Sequence, residues 1–232
     1  LAFLRSCWVM PHSYIKKILN ARVYDVARET PLDAAPLLSS RLNNQVWLKR
    51  EDLQPVFSFK CRGAYNKMSR LDESARQAGV VAASAGNHAQ GVALAAQKLS
   101  IKATIVMPVT TPAIKVDAVR ARGARVVLFG DTFDEAAVRA AELVATQGLT
   151  FIHPFDDPDV IAGQGTVAME LVRQAPGPLD YVFICCGGGG LLAGMAAYLR
   201  YTWPNTRIIG VEPEDAACTQ AVSYTHLRAH ET

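Results

Sequence analysis

Short apolar segments alternate with helical segments along almost the whole chain, and this alternation limits the possible folds more than any other feature of the sequence. Nearly continuous apolar strands are typical of sheets covered on both faces, and strands separated by helices run parallel in such sheets. The alternation therefore predicts an α/β fold. The segments that we expect to form strands are QVWLKRE, GVVAAS, KATIVMP, ARVVLFG, LTFIHPF, DYVFICC and RIIGVEP.

The residues at the predicted helix ends agree with this pattern. Thr110 and Thr111 precede Pro112, which predicts a threonine cap followed by a proline in the first turn of a helix. Gly123 and Gly148 stand where a helix has to end and the chain has to reverse.

The bulk properties argue against several classes of protein. A net charge of +3 over 232 residues gives no reason to expect nucleic acid or an anionic membrane as a partner. No segment approaches the roughly 18 apolar residues of a membrane span. The cysteines form no CxxC pair, and Cys185 and Cys186 are adjacent. We therefore predict free thiols, no metal site and a cytoplasmic location.

The two ends of the chain depart from the pattern. The opening segment LAFLRSCWV lacks a small-residue cleavage site, so we do not interpret it as a secretion signal. Met10 is a candidate start, with residues 1–9 arising from upstream translation. The closing segment SYTHLRAHET continues no strand or helix. We expect residues 1–9 and 223–232 to be non-native or disordered.

Four successive glycines, Gly187 to Gly190, lie between the strand DYVFICC and a predicted helix. Such a run costs backbone entropy on folding, and packing gives little reason for it. A tight glycine turn at a helix N-terminus lets several backbone N–H groups approach one ligand. We therefore predict phosphate binding at this loop.

The same loop also fits a dinucleotide site. Gly188 to Ala193 match the pattern GxGxxA, and Glu212 ends the next strand. Dinucleotide sites carry an acidic residue about 20 residues after the glycines, close to the position of Glu212. An NAD-dependent dehydrogenase is therefore an alternative from a different reaction class. This alternative leaves Lys60 and the segment SAGNHAQ unexplained.

Two further segments could carry chemistry. Lys60, between Phe59 and Cys61, is either a surface charge or an amine in a dry pocket. Ser84 and Asn87 stand at a helix start that favours an anion, although both are also common helix caps. Together with the glycine loop, these segments supply what pyridoxal phosphate needs: an amine, an amide for the ring oxygen and a phosphate cradle. Burial would lower the pKa of the lysine and free its amine for attack on carbonyls.

These segments, together with VYDVARETPL, VWLKREDLQPVFSFKCRGAYNKM, IVMPVTTPAIKVDAVRARGARVVLFG and PFDDPDVIAGQGT, resemble the fold-type II pyridoxal phosphate enzymes and, among them, the threonine dehydratases. The resemblance covers nearly everything from Tyr14 to Ala221. It implies a tryptophan synthase β-like fold with two interleaved, open, twisted and mainly parallel sheets flanked by helices. A small domain, residues 54–156, would be inserted into a large domain formed by residues 10–53 and 157–222, which would be truncated at its C-terminal end.

The resemblance assigns roles to the residues at matching positions. Lys60 would form the Schiff base with the cofactor, and Asn87 would bond the cofactor's ring oxygen. The loop that holds the substrate carboxylate would consist of Ser84, Ala85, Gly86, Asn87 and His88. The phosphate would be held by Gly187, Gly188, Gly189, Gly190 and Leu191.

The implied reaction is an α,β-elimination, the first step of isoleucine biosynthesis. Lys60 takes the Cα proton of L-threonine, the β-hydroxyl leaves as water, and the product hydrolyses to 2-oxobutanoate and ammonia. A catabolic dehydratase of L-threonine or L-serine is the nearest alternative. Ala85 stands where similar serine racemases carry an acid/base serine, which predicts dehydration without efficient racemisation. Full-length family members form homotetramers, and biosynthetic members carry a C-terminal regulatory domain.

Overall fold

A computed structural model describes residues 11–216 of the chain, and helices alternate with strands along this part. The predicted α/β fold class is confirmed. Within the same residues, no helix is long and apolar enough to cross a membrane. The helices are α1 (Pro11–Leu19), α2 (Pro36–Leu42), α3 (Lys60–Met68), α4 (Glu73–Ala78), α5 (Asn87–Leu99), α6 (Ala113–Arg120), α7 (Phe133–Gln147), α8 (Pro158–Gln174) and α9 (Gly190–Thr202). The strands are β1 (Leu32–Ala34), β2 (Trp47–Lys49), β3 (Val80–Ala83), β4 (Ala103–Met107), β5 (Arg125–Leu128), β6 (Thr150–Phe151), β7 (Tyr181–Cys185) and β8 (Arg207–Val211).

The strands β5, β4, β3 and β6 form a four-stranded sheet in that order, and each pairing is parallel. On one face, Val80 of β3 packs in a core with Val92 of α5. On the opposite face, Val81 packs with Ala140 of α7. Helices therefore cover both faces of this sheet, as the continuous apolar character of its strands predicts.

A second parallel pair joins β7 to β8, and β1 pairs with β2 in the antiparallel orientation. Val182 and Ile184 of β7 pack against Leu171 of α8 and Leu199 of α9. The strands are thus mainly parallel, as expected. The predicted boundaries of the small and large domains stay a prediction, and the predictions for residues 1–9 and 223–232 lie outside the described residues.

One predicted helix cap is wrong, whereas both predicted glycine stops are confirmed. The N-cap of α6 is Pro112, so Thr111 lies one residue too early for its side chain to cap the helix. Within residues 11–216, the buried Thr111 hydroxyl has no hydrogen-bond partner. Gly148 caps α7 in the left-handed conformation with φ 66°, and Gly123 follows α6 with φ 82°.

Glycines let α5 and α8 approach α3, and let α9 approach α8, at backbone contact distance. A Cβ atom added to Gly91 of α5 would lie 3.0 Å from the carbonyl oxygen of Lys60. One added to Gly163 of α8 would lie 2.7 Å from the carbonyl oxygen of Arg62, on α3. One added to Gly194 of α9 would collide with the α8 backbone. These contacts set the position of the first turn of α3 relative to the start of α9.

A buried ionic cluster also holds α3 in place. Arg62 is fully buried, and its guanidinium donates to the Glu170 carboxylate at 2.6 and 3.0 Å and to the Glu51 carboxylate at 2.8 Å. Lys49 Nζ donates to Glu170 at 2.6 Å, and the Tyr24 hydroxyl donates to it at 2.9 Å. Bidentate charge-assisted bonds of this kind are strong and directional. The cluster therefore anchors the helix that begins with Lys60 to α8.

Candidate active site

Lys60 is the first residue of α3, and its amine is only partly accessible to solvent. Its Nζ donates a hydrogen bond to the carbonyl oxygen of Pro154 at 2.6 Å and lies 5.6 Å from the centre of the Phe59 ring. Burial lowers the pKa of this amine, and the neighbouring Cys185 opposes the shift by a smaller amount. Lys60 is therefore no ordinary surface charge, and a larger fraction of its amine is neutral and nucleophilic.

The loop from Ser84 to His88 joins β3 to α5. Gly86 is the N-cap of α5, and Asn87 is its first residue, with an exposed side chain. The Ser84 hydroxyl accepts hydrogen bonds from the N–H groups of Gly86 at 3.2 Å and Ala89 at 3.3 Å. Ser84 therefore satisfies part of the helix start, and the Asn87 amide stays accessible for a ligand.

The His88 side chain is buried away from this loop. Its Nε2 lies 2.8 Å from the carbonyl oxygen of Ile152, so Nε2 carries the proton. Within residues 11–216, Nδ1 has no hydrogen-bond partner. Burial lowers the pKa of His88 to about 3. A substrate-binding role for His88 would therefore rest on its backbone N–H group.

The glycine loop connects the end of β7 to the start of α9. Gly189 has φ 87°, a left-handed conformation that only glycine adopts readily. Gly190 is the first residue of α9, and Leu191 follows it within the first turn. The N–H groups of such a first turn lack helical partners and favour an anion. The predicted phosphate loop thus has a suitable local structure.

Packing explains two of the four glycines, contrary to the expectation that packing gives little reason for them. A Cβ atom on Gly188 would collide with the Phe155 ring, and one on Gly190 would lie 2.8 Å from the Phe155 carbonyl oxygen. At Gly187 and Gly189, such a Cβ atom would have no atom of residues 11–216 within 4 Å, apart from those of the adjoining residues. The open side of the loop is therefore at Gly187 and Gly189, where a ligand could approach.

The turn from His153 to Asp156, between β6 and α8, touches both Lys60 and the glycine loop. Pro154 accepts the Lys60 hydrogen bond, and Phe155 packs on the glycines. Phe155 and Asp156 also line a cleft of about 300 Å³ together with Gly188, Gly189 and Gly190. Sequence reasoning missed this turn. The segment PFDDPDVIAGQGT carried part of the resemblance, but no local pattern showed which groups the turn contacts.

Cys61 and Cys185 are free, as predicted. Cys61 is buried, and burial raises the pKa of its thiol to about 12. Cys185 is exposed at the end of β7 and interacts electrostatically with Lys60, whereas Cys186 is buried. The two other cysteines lie outside the described residues.

These groups suit pyridoxal phosphate. The site combines a desolvated amine at Lys60, an accessible amide at Asn87 and a glycine turn before α9 that, among the described residues, is open at Gly187 and Gly189. The fold and site are those of an α/β enzyme that uses pyridoxal phosphate. The profile of the family described as "pyridoxal-phosphate dependent enzyme" matches residues 23–231, and the chain belongs to that family. The dinucleotide interpretation of the glycine loop is therefore wrong.

Similar proteins include threonine dehydratases from bacteria and plants. The chain is 57% identical over 215 residues to a biosynthetic L-threonine dehydratase of Burkholderia multivorans, covering 91% of this chain and 42% of that protein. It is 60% identical over 203 residues to the chloroplastic biosynthetic threonine dehydratase of Arabidopsis thaliana, covering 88% of this chain and 34% of that protein. The chain thus spans between 34% and 42% of the length of these two relatives.

A solved structure agrees with the fold. The processed form of threonine deaminase isoform 2 from Solanum lycopersicum superposes with a TM-score of 0.87 at 57% identity. The match covers 89% of this chain and 60% of that chain.

Proposed function

We propose that this chain is part of a threonine dehydratase, which converts L-threonine to 2-oxobutanoate and ammonia in the first step of isoleucine biosynthesis. The observation that carries the proposal is the position of the Lys60 amine. This amine is desolvated and bonded to a turn that also packs on the glycine loop. The names of the relatives support the substrate.

Each part of the site has a separate task. Bound pyridoxal phosphate supplies a ring that stabilises negative charge at the substrate Cα atom. Lys60 Nζ would hold the cofactor and, once the substrate amine has released it, would take the Cα proton; its lowered pKa favours the neutral amine. The N–H groups from Gly187 to Leu191 would hold the phosphate. The Asn87 amide would bond the ring oxygen, and the loop from Ser84 to His88 would bind the substrate carboxylate.

Borohydride trapping tests the role of Lys60. The purified chain is incubated with pyridoxal phosphate, reduced and digested, and the pyridoxyl group is located by peptide mass mapping. We expect the label on Lys60, because burial lowers the pKa of its amine whereas surface amines stay protonated.

Lys60→Ala is the test variant. Lys115→Ala is its matched control, because Lys115 is an exposed lysine on α6. We expect the first variant to lose the label and the second to keep it. Equal labelling of Lys115 and Lys60 in the unmodified chain would contradict the proposal.

Substrate choice is tested separately, on the unmodified chain and on its longer parent protein. The rates of 2-oxobutanoate formation from L-threonine and of pyruvate formation from L-serine are compared as kcat/KM. One methyl group in a pocket is worth about 1–3 kcal/mol, so the biosynthetic proposal expects roughly tenfold or more preference for L-threonine. Equal values would support the catabolic alternative.

The location and the assembly of the full-length protein belong to the same proposal. The cytoplasmic location and the assembly into homotetramers stay predictions. Sedimentation of the full-length protein tests the tetramer, and imaging of a tagged copy tests the location.

A further inference from the structure

His153 organises the turn that joins β6 to α8. Its Nδ1 accepts a hydrogen bond from the Asp156 N–H at 2.7 Å and a longer one from the Phe155 N–H at 3.3 Å. The imidazole ring also packs edge-on against two aromatic rings. Its centroid lies 4.7 Å from that of Phe155 and 5.9 Å from that of Phe151. One side chain therefore fixes both the backbone of this turn and the ring that follows it.

This turn carries the contacts that connect the two halves of the site. Pro154, directly after His153, accepts the hydrogen bond from Lys60 Nζ at 2.6 Å. Phe155 packs against Gly188 and Gly190 so closely that neither position has room for a side chain. A shift of the turn would therefore move the amine and the glycine loop relative to each other.

We infer that His153 is a positioning residue, whose unprotonated Nδ1 holds this turn so that the Lys60 amine and the glycine loop can engage one cofactor molecule. This inference rests on the proposed function of Lys60 and of the loop. His153 itself need not touch the cofactor. It acts through Pro154 and Phe155.

A site held in place by the His153 imidazole is sensitive to acid. Protonation of His153 places a hydrogen on Nδ1, which then stops accepting from Phe155 and Asp156. Burial lowers the pKa of His153 and Lys60 lowers it further, whereas Asp156 and Asp157 oppose the shift. His88 also interacts electrostatically with this imidazole. His153 is therefore neutral at pH 7, and the turn loses its acceptor as the pH falls below the ordinary range of histidine.

Two variants of the 232-residue chain separate the acceptor from the ring. His153→Phe keeps an aromatic ring and removes the acceptor. His153→Asn removes the ring but restores an oxygen that can accept from N–H groups two and three residues later, as in an Asx turn. We expect the dissociation constant for pyridoxal phosphate at pH 7 to rise about tenfold in His153→Phe and to change less than about threefold in His153→Asn.

The pH profile adds a measurement that a merely structural role would not move. The loss of pyridoxal phosphate affinity of the unmodified chain in acid should include a step at the pKa that NMR assigns to His153, and His153→Asn should lack that step. Unchanged affinity in His153→Phe, or the same step in His153→Asn, would overturn the inference.

A cofactor-free measurement keeps this test separate from the test of the proposed function. The acylation rate of Lys60 relative to Lys115 is measured with acetic anhydride, without pyridoxal phosphate. We expect His153→Phe to change this ratio at least about threefold and His153→Asn to leave it unchanged. An unmodified chain that takes no pyridoxyl label would refute the role of Lys60, and the acylation ratio would still decide whether His153 positions its amine. Equal ratios in all three chains would refute the inference.

Discussion

The two parallel sheets differ in how their faces are covered. In the four-stranded sheet, Val80 and Val81 point to opposite faces, and both are 0% exposed because helices pack on each side. In the β7–β8 pair, Val182 and Ile184 are 7% and 3% exposed, but Phe183 between them is 68% exposed. Two equally apolar strand sequences thus lie in different surroundings.

The open face of the β7–β8 pair is largely apolar. Parallel pairing places Phe183 beside Ile209 and Tyr181 beside Arg207. The rings of Tyr181 and Phe183 stack with centroids 6.2 Å apart, and the Arg207 guanidinium lies 5.5 Å from the Tyr181 ring. Exposed apolar faces promote association, so we expect this chain to be poorly soluble. An apolar strand sequence therefore indicates that its side chains favour burial, but not which elements of the fold bury them.

The largest expected difference comes from placing an aspartate in each sheet. Val81→Asp should lower the free energy of unfolding by more than about 4 kcal/mol, because the carboxylate would be buried without a partner. Phe183→Asp should change it by less than about 0.5 kcal/mol, because the side chain is already exposed. Urea unfolding followed by circular dichroism measures both values. Equal losses of unfolding free energy in the two variants would contradict the difference in burial between the sheets.

Glu170→Gln should have the next largest effect, because α8 ties the β7–β8 pair to α3. The change leaves the buried Arg62 and Lys49 without full compensation and should cost about 3 kcal/mol. Glu142 pairs with Arg139 on the surface of α7, so Glu142→Gln is the matched control and should cost less than about 1 kcal/mol. Thermal and urea unfolding of both variants test this. Similar costs would show that the buried cluster contributes no more than a surface pair.

Acid should destabilise the region of the four-stranded sheet through His88. Its folded pKa of about 3 lies below the unfolded value, so the unfolded state binds more protons below about pH 6.5. The contribution is fully present above that pH and is lost as the pH falls toward 3, by up to about 1.4 kcal/mol per pH unit. His88→Asn should reduce the loss between about pH 6.5 and 5 by roughly 2 kcal/mol. An unchanged slope in the variant would rule out this source.

The smallest structural effect is expected at the carboxyl end of the four-stranded sheet. Ala85→Ser adds one hydroxyl to a partly exposed loop, so the free energy of unfolding should change by less than about 0.5 kcal/mol. A serine there could supply the proton that alanine lacks, so racemase activity should rise in the proposed enzyme. Chiral chromatography of recovered serine measures it, and Ala85→Gly is the control. A product of unchanged chirality in Ala85→Ser would count against the role of this position.

The fold class and the local structure at both candidate loops follow from the amino-acid sequence alone. Strand and helix periodicity depends on neighbouring residues, so the alternation predicted β3, β4 and β7 and the helices that follow them. Gly148 ended a helix as expected because its left-handed conformation is a local property. The cap at Thr111 failed because the helix started one residue later than the pattern suggested.

Contacts between groups that are distant in the sequence depend on how the whole chain folds. Lys60 and Pro154 are 94 residues apart in sequence, and their contact explains why the amine is desolvated. The need for glycine at positions 188 and 190 comes from Phe155, which no local pattern connects to the loop. The exposure of Phe183 likewise cannot be predicted from an apolar strand sequence. The physical reason is that side-chain period and backbone conformation are local, whereas burial and packing depend on elements brought together by the whole fold.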